Sequence, residues 1–129
     1  MDILDSIKKL ALPESQFVVV GSVPLAMLGI IPETSDIDLA VSPKLYDFLK
    51  KSGWQEFDGR EGKPVLRRDS YDVGVGYGEW NLQALLEDAF FVDGIAFTSL
   101  DKLLIWKKAS GRQKDMEHIK LIESYLTPT

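Results

Sequence analysis

Residues 33 to 42 read ETSDIDLAVS and combine a hydrophobic strand with two aspartates that stand one residue apart. Alternate side chains of a strand point to the same face, so Asp36 and Asp38 are predicted to share a face while the isoleucine between them points away. Neighbouring carboxylates repel each other, and an unpaired carboxylate is costly to bury. We therefore expect a lysine, an arginine, backbone donors or a metal ion close to this pair.

The aspartate pair suits a metal site. Two carboxylates on one strand face can bracket a pair of divalent cations roughly 3.5–4 Å apart, an arrangement used in phosphoryl and nucleotidyl transfer. Magnesium fits best because the available ligands are hard oxygens, and the chain has no cysteine and a single histidine. The alternative is that Asp36 is a turn or loop residue paired with a lysine.

The composition is ordinary for a globular protein. Its 129 residues, 45% of them hydrophobic and 27% charged, suit a single domain, residues 1–129, with its own core. No apolar run is long enough to cross a bilayer, and the N-terminal segment is amphipathic and acidic, unlike a signal or transit peptide. A cytoplasmic protein with no membrane partner and no disulfide is predicted.

The charge is unevenly distributed along the chain. A net charge of -5 and a pI near 4.8 argue against extensive charge-driven binding to nucleic acid. Residues 102–114 nevertheless hold five basic residues and no acid, and residues 60–68 hold four basic residues and one acid. These segments either form a local anion site or are simply solvated faces.

Hydrophobic periodicity and turn residues predict an α/β (α+β) domain, in which helices flank a small mixed β-sheet. The predicted strands are 16–21, 36–42, 54–57, 64–69 and 71–77, with a short strand or hairpin at 90–97. The predicted helices are 3–12, 22–29, 43–51, 82–89, 98–110 and 113–125.

Gly21 and Ser22 lie at the first predicted strand-to-helix junction. A glycine there lets a ligand approach the backbone, and a helix N-terminus offers free N–H groups to a phosphate. The same pair is also typical of a routine tight turn in which the serine caps the helix.

The segment SYDVGVGYG suggests a third acid. Read as a regular strand, it places its tyrosines and valines, Tyr77 among them, on one face, and Asp72 with two glycines on the other. Glycine weakens a strand unless a ligand or another backbone comes close, so Asp72 is predicted to border an open cleft. An edge strand with a small exposed face is the alternative. Asp69 could replace Asp72, although residues three apart cannot share a strand face.

The segment KKASGRQKD groups charges around a predicted helix break. Lys107, or alternatively Lys108, could neutralise phosphate together with Arg112 and Lys114, while Asp115 could orient one of these cations. The alternative is a helix C-terminus whose cations favour its dipole. The single histidine, His118, is predicted to pack at the surface or boundary of the last helix.

In this order, the motifs resemble the nucleotidyltransferase superfamily, whose fold DNA polymerase beta shares with small bacterial nucleotidyltransferases. The matching motifs are VVVGS, DIDLAV, YDVGV and LIWKKASGRQKD, and they span residues 16 to 115. The last motif is similar to nucleotidyltransferase-like proteins related to abortive-infection toxins. The resemblance implies metal-binding and catalytic roles for Asp36, Asp38 and Asp72, and nucleotide-binding roles for Gly21, Ser22, Lys107, Arg112, Lys114 and Asp115.

The resemblance also implies an activity. A two-ion magnesium site would support transfer of a nucleoside monophosphate from a nucleoside triphosphate to a hydroxyl group on a tRNA, a protein or a small molecule. Many active members carry a further substrate-recognition domain, so the acceptor would be held here by this domain, by a homo-oligomer partner or by another protein. The alternative is a non-catalytic protein of the same fold that binds a nucleotide or a partner, such as a regulatory or toxin–antitoxin component.

Overall fold

One mixed sheet organises the computed structural model, which describes residues 3–59 and 62–127. The strands are β1 (Phe17–Val20), β2 (Ile37–Val41), β3 (Gln55–Asp58), β4 (Pro64–Arg68), β5 (Tyr71–Val75), β6 (Phe90–Val92) and β7 (Ile95–Phe97). The helices are α1 (Ile3–Lys9), α2 (Val23–Met27), α3 (Pro43–Lys51), α4 (Leu82–Glu87), α5 (Leu100–Ser110) and α6 (Gln113–Leu126), and a 3-10 turn, Glu14–Gln16, precedes β1.

The strand order within the described residues is β3-β4-β5-β2-β1-β7-β6. β1 runs antiparallel to β2 and parallel to β7, while β2 runs parallel to β5. The outer pairs β3–β4, β4–β5 and β6–β7 are antiparallel. The predicted α+β class with a mixed sheet flanked by helices is therefore confirmed.

Local sequence signals fix where several helices begin. The side-chain oxygens of Ser42, Asn81 and Ser99 each accept a hydrogen bond from the backbone N–H three residues later, at 3.1, 2.9 and 3.2 Å. Each bond satisfies a helix N–H that has no partner within the helix, which typically stabilises the helix by about 1 kcal/mol. Gly111 ends α5 in the left-handed conformation, with φ 67.

Different helices cover the two faces of the sheet. Alternate residues such as Val19, Leu39 and Val73 belong to the cluster that packs with α1 and α3. Val20 and Ala40 point to the opposite face, where they pack with α4. A third cluster joins α2, α5 and α6 beside this second face. Asp38 precedes Ala40 by two residues in β2, so it lies on the face shared with α4.

Several predicted boundaries differ from the structure. α1 ends at Lys9, and α2 comprises only Val23–Met27 rather than residues 22–29. β5 ends at Val75, because Gly76 has φ +70 and turns the chain out of the strand. Tyr77 consequently packs with α4 and α5, so its predicted position on the face of Val73 is wrong. None of the helices within the described residues is long and apolar enough to span a membrane.

Candidate functional site

Asp38 and Asp72 are direct neighbours on adjacent parallel strands. The register of β2 and β5 pairs their Cα atoms, so both side chains project from the same face of the sheet. Asp72 is 41% exposed and accepts a hydrogen bond from Arg67 Nε at 3.0 Å. Asp69, the alternative third acid, is exposed in the β4–β5 turn with φ 54. The structure therefore brings Asp72, rather than Asp69, beside Asp38.

Asp36 does not belong to the strand. β2 begins at Ile37, and Asp36 is an exposed residue of the preceding loop. The expectation that both aspartates share a strand face is therefore wrong, because the alternation of side chains does not extend to residue 36. Asp36 still lies close enough for its charge to act on Asp38. It also borders a surface cleft together with Ser22 and Lys114.

The surroundings of Asp38 disfavour its ionised form. Its pKa is raised from 3.8 to about 6, first by burial and then by the charges of Asp72 and Asp36. Lys114 and Arg112 act in the opposite direction, but their effect is smaller. Burial and the two neighbouring carboxylates therefore outweigh these two cations in setting the pKa of Asp38.

Gly21 packs its backbone directly against the Asp38 carboxylate. Gly21 has φ +74, and an added Cβ would collide with the carboxylate, whose carbon lies 3.2 Å from that position. Both the conformation and the close approach therefore require glycine. Ser22 lines the cleft, but its side chain makes no capping hydrogen bond. α2 has only five residues, so its dipole adds little to the predicted phosphate cradle.

A buried ionic cluster joins α5 to α6. Asp115 accepts hydrogen bonds from Arg112 Nε at 2.7 Å and Arg112 Nη2 at 3.2 Å, and Lys107 Nζ lies 3.4 Å from Asp115 Oδ1. The Lys107 and Asp115 side chains are 2% and 0% exposed, whereas that of Arg112 is 51% exposed. Burial opposes ionisation of Asp115, but hydrogen bonds from Arg112 and Ser110 outweigh it and hold the carboxyl pKa well below its usual range.

Lys107 faces this cluster rather than open solvent. Its Nζ lies 3.1 Å from His118 Nδ1, and an ammonium group only donates, so Nδ1 is the acceptor in this contact. Burial lowers the pKa of Lys107, and burial together with the charge of Lys107 lowers the pKa of His118. His118 is 8% exposed and also lines the surface cleft, which agrees with the boundary position, though not with the surface position, that the sequence suggests. This placement pairs Lys107 with Asp115, and Lys107 is not among the residues that line the cleft beside Asp36 and Lys114.

Lys114 and Arg112 are the two predicted cations that reach the site from α6 and its N-terminal end. Lys114 is exposed and borders the cleft, which has a volume of about 640 Å³. The cleft is lined by Ser22, Ile31, Pro32, Glu33, Thr34, Ser35, Asp36, Lys114, Glu117, His118 and Leu121. The Arg112 guanidinium carbon lies 5.5 Å from the centroid of the Trp106 ring, and Arg112 Nε donates to Asp115. The ring and the carboxylate together hold the guanidinium in place.

Tyr77 is a site residue that sequence reasoning missed. Its ring stacks on Trp106, with centroids 4.9 Å apart and an interplanar angle of 18°. Its hydroxyl is buried and finds no hydrogen-bond partner among the residues that the structure describes. Burial and then the charges of Asp38 and Asp115 raise the pKa of this phenol. The sequence signal for this placement was the pair of glycines on either side of Tyr77, Gly76 and Gly78. They indicate that the strand ends before Tyr77, so its side chain need not follow the alternation of β5.

The three acids do not form a closed metal centre in the described conformation. No group of three or more acidic, histidine or cysteine side chains within residues 3–59 and 62–127 has the geometry to hold a metal ion. The donor set itself fits magnesium, since all three candidates supply carboxylate oxygens. Asp72 would have to exchange Arg67 for the metal, and the loop that carries Asp36 would have to approach Asp38.

No protein-family model and no curated protein sequence matches this chain. The similarity of its motifs to nucleotidyltransferases therefore stays a prediction, and the residues of the site carry the functional argument.

Proposed function

We propose that the chain is a magnesium-dependent nucleotidyltransferase that transfers a nucleoside monophosphate from a nucleoside triphosphate to a hydroxyl acceptor. The observation that carries this proposal is the environment of Asp38. This mostly buried carboxylate lies beside Asp72, within the field of Asp36 and against the backbone of Gly21. The fold holds these acids close together although they repel each other. A bound divalent cation would remove this repulsion, which would favour binding of the cation.

The cations opposite these acids suit a phosphate chain. Arg112 is held by Asp115 and Trp106, and Lys114 is exposed at the edge of the cleft. A guanidinium fixed in this way is suited to binding a phosphate with two hydrogen bonds. Lys107 contributes indirectly, because its charge stabilises the ionised form of Asp115, and this carboxylate in turn holds Arg112.

The proposed reaction is an in-line displacement. The acceptor oxygen forms a bond to the α-phosphorus, the bond from that phosphorus to the bridging oxygen breaks, and pyrophosphate leaves. Asp72 takes the proton of the attacking hydroxyl. Arg112 and Lys114 neutralise charge on the phosphates, and Asp36, Asp38 and Asp72 would hold magnesium, which supplies further charge stabilisation when bound.

A second candidate is a protein of the same kind that binds a nucleotide or a partner without turnover, for example in a regulatory or toxin–antitoxin pair. The observation that favours it is the ion pair between Asp72 and Arg67, because a third carboxylate that stays paired is not available to a metal or a proton. We propose a tRNA, a protein or a small molecule as the acceptor. A partner protein or a second copy of this chain would help this domain to hold it.

Binding is tested first, with thermal unfolding of the native chain in magnesium and each of the four ribonucleoside triphosphates. We expect stabilisation by at least one triphosphate that requires magnesium, and a ligand at 100 times its Kd should add about 2.7 kcal/mol. Asp38→Asn should abolish this shift. Asp69→Asn is the matched control, since it removes a nearby exposed carboxylate and should leave the shift unchanged.

Turnover is tested next, with the α-phosphate of the stabilising triphosphate radiolabelled. Release of pyrophosphate together with transfer of label to a tRNA, protein or small-molecule fraction supports the enzyme. Magnesium-dependent binding without label transfer to any of these fractions supports the non-catalytic candidate. If no triphosphate stabilises the native chain, the enzyme and the nucleotide-binding form of the second candidate both fail.

A further inference from the structure

The ring of Tyr77 is fixed in position by contacts on several sides. Gly76 turns the chain out of β5 with φ +70, and Tyr77 N donates to Trp80 O at 2.9 Å while Trp80 N donates to Tyr77 O at 3.0 Å. The ring then stacks on Trp106. In this position the hydroxyl oxygen is buried.

The surroundings of the hydroxyl are charged. Among the described residues, Asp38, Asp115 and Arg112 all act on the phenol, and the backbone of Gly21 is close enough to act on it too, although no contact meets hydrogen-bond geometry. Leaving a buried hydroxyl without a partner destabilises a protein, because the group loses the hydrogen bonds that it makes with water. Native proteins rarely keep such a group unless a water, an ion or a ligand pairs with it.

We propose that Tyr77 is a further nucleotide-binding residue, whose hydroxyl donates a hydrogen bond to a phosphate oxygen held between the Gly21 backbone and Arg112. This inference rests on the proposed function. The phenol is suited to donation because burial and two nearby acids keep it protonated. A phosphate oxygen is the complementary acceptor, and the guanidinium of Arg112 acts on the same place.

The alternative occupant is a structural water that bridges Tyr77 to Gly21 or Asp38 in the free protein. The two occupants differ in the state that they stabilise. A water stabilises the folded protein before any ligand binds, whereas a phosphate stabilises only the complex.

Tyr77→Phe separates the two occupants, because it keeps the ring and its stacking on Trp106 and removes only the oxygen. The probes are magnesium with the ribonucleoside triphosphate that binds the native chain best, and magnesium with inorganic tripolyphosphate, both measured by calorimetry. We expect the affinity for both probes to fall about tenfold or more, as the loss of a hydrogen bond to a charged group predicts. The melting temperature of the free variant should be equal to or above that of the native chain.

Tyr71→Phe is the matched control. Its hydroxyl donates to the backbone oxygen of Ser6 at 3.0 Å, in the cluster with α1 on the opposite face of the sheet. This variant should lower the melting temperature of the free protein and leave the affinity for both probes unchanged.

Four outcomes overturn the inference. A Tyr77→Phe variant that loses stability like the control and keeps its affinity indicates the structural water. A loss of affinity for the nucleotide but not for tripolyphosphate shows that the hydroxyl does not bind phosphate. Unchanged affinity for both probes, in a native chain that binds them, removes the role of Tyr77 alone, whereas a native chain that binds neither probe removes the proposed function as well.

Discussion

Replacing Asp38 by asparagine should stabilise the free protein at neutral pH, although it removes a residue of the proposed site. The carboxylate of Asp38 is held near two other acids in a mostly buried position, which raises its pKa from 3.8 to about 6. In the unfolded chain the group loses its proton near pH 4, whereas in the folded chain it does so near pH 6. Between these values the folded state binds more protons, so stability falls as the pH rises and the loss is complete above about pH 6.

The size of the effect follows from the shift. At 1.36 kcal/mol for each pKa unit, the rise corresponds to about 3 kcal/mol in favour of the neutral form. Partial solvent access and relaxation of the Asp36 loop reduce this value, so we expect Asp38→Asn to gain about 1–3 kcal/mol at pH 8. For a chain of this size each kcal/mol corresponds to roughly 4 °C in melting temperature. The gain should become small near pH 4 and vanish below it, where the native carboxyl is protonated in both states.

The assay is urea unfolding of both chains in EDTA at intervals from pH 4 to pH 8, followed by repetition in magnesium. The difference between the two chains isolates Asp38 from the other titrating groups. Asp69→Asn is the control, because asparagine tolerates the positive φ of that exposed turn and should follow the native chain throughout. A variant that is less stable than the native chain at pH 8, or a difference that does not change with pH, would refute the electrostatic argument.

The remaining predictions concern the packing around the site. Gly21→Ala should lower the free energy of unfolding, measured in urea, by about 2 kcal/mol or more. The loss should be clearly larger than that of Gly29→Ala, because both glycines have nearly the same φ but only Gly21 would press a methyl group on a carboxylate. Equal losses would rule out that contact. Asp115→Asn should cost about 3–5 kcal/mol, since it leaves a buried ammonium unpaired. Lys107→Met should cost less than half as much, because Arg112 still pairs with the carboxylate, and a larger loss for Lys107→Met than for Asp115→Asn in the same assay would contradict this order.

The strands and helices could be predicted because their hydrophobic patterns agree with the burial that the sheet imposes. The four residues of β1 are all buried, and the buried residues of α3, Leu45, Tyr46 and Leu49, follow the spacing of one helix face. Both patterns lead to the observed elements. The alternation argument failed at Asp36 and at Tyr77, in each case at the end of a strand. A period of two says which residues share a face, but it does not say where the strand begins or where a glycine turns the chain.

The ionic cluster between α5 and α6 could not be predicted from spacing. Lys107 and Asp115 lie eight residues apart on either side of Gly111, and only the angle between the two helices brings them within 3.4 Å. Sequence patterns treat lysine, aspartate and histidine as surface residues, because burial of such groups is rare without partners. Here each of the three supplies a partner for another, so their burial is a property of the tertiary structure.

The separation of charge across the site indicates what kind of ligand would complete it. The sheet presents carboxylates that repel each other, while α6 presents Arg112 and Lys114 on the opposite side. A free metal ion would be attracted by the carboxylates and repelled by these cations. A free phosphate would be attracted by the cations and repelled by the carboxylates. A metal–phosphate complex satisfies both sides at once, so each component should bind more tightly when the other is present. In the free protein, Arg112 and Lys114 reduce the mutual repulsion of the acids around Asp38, whereas Arg67 pairs with Asp72 and would have to be displaced by the metal.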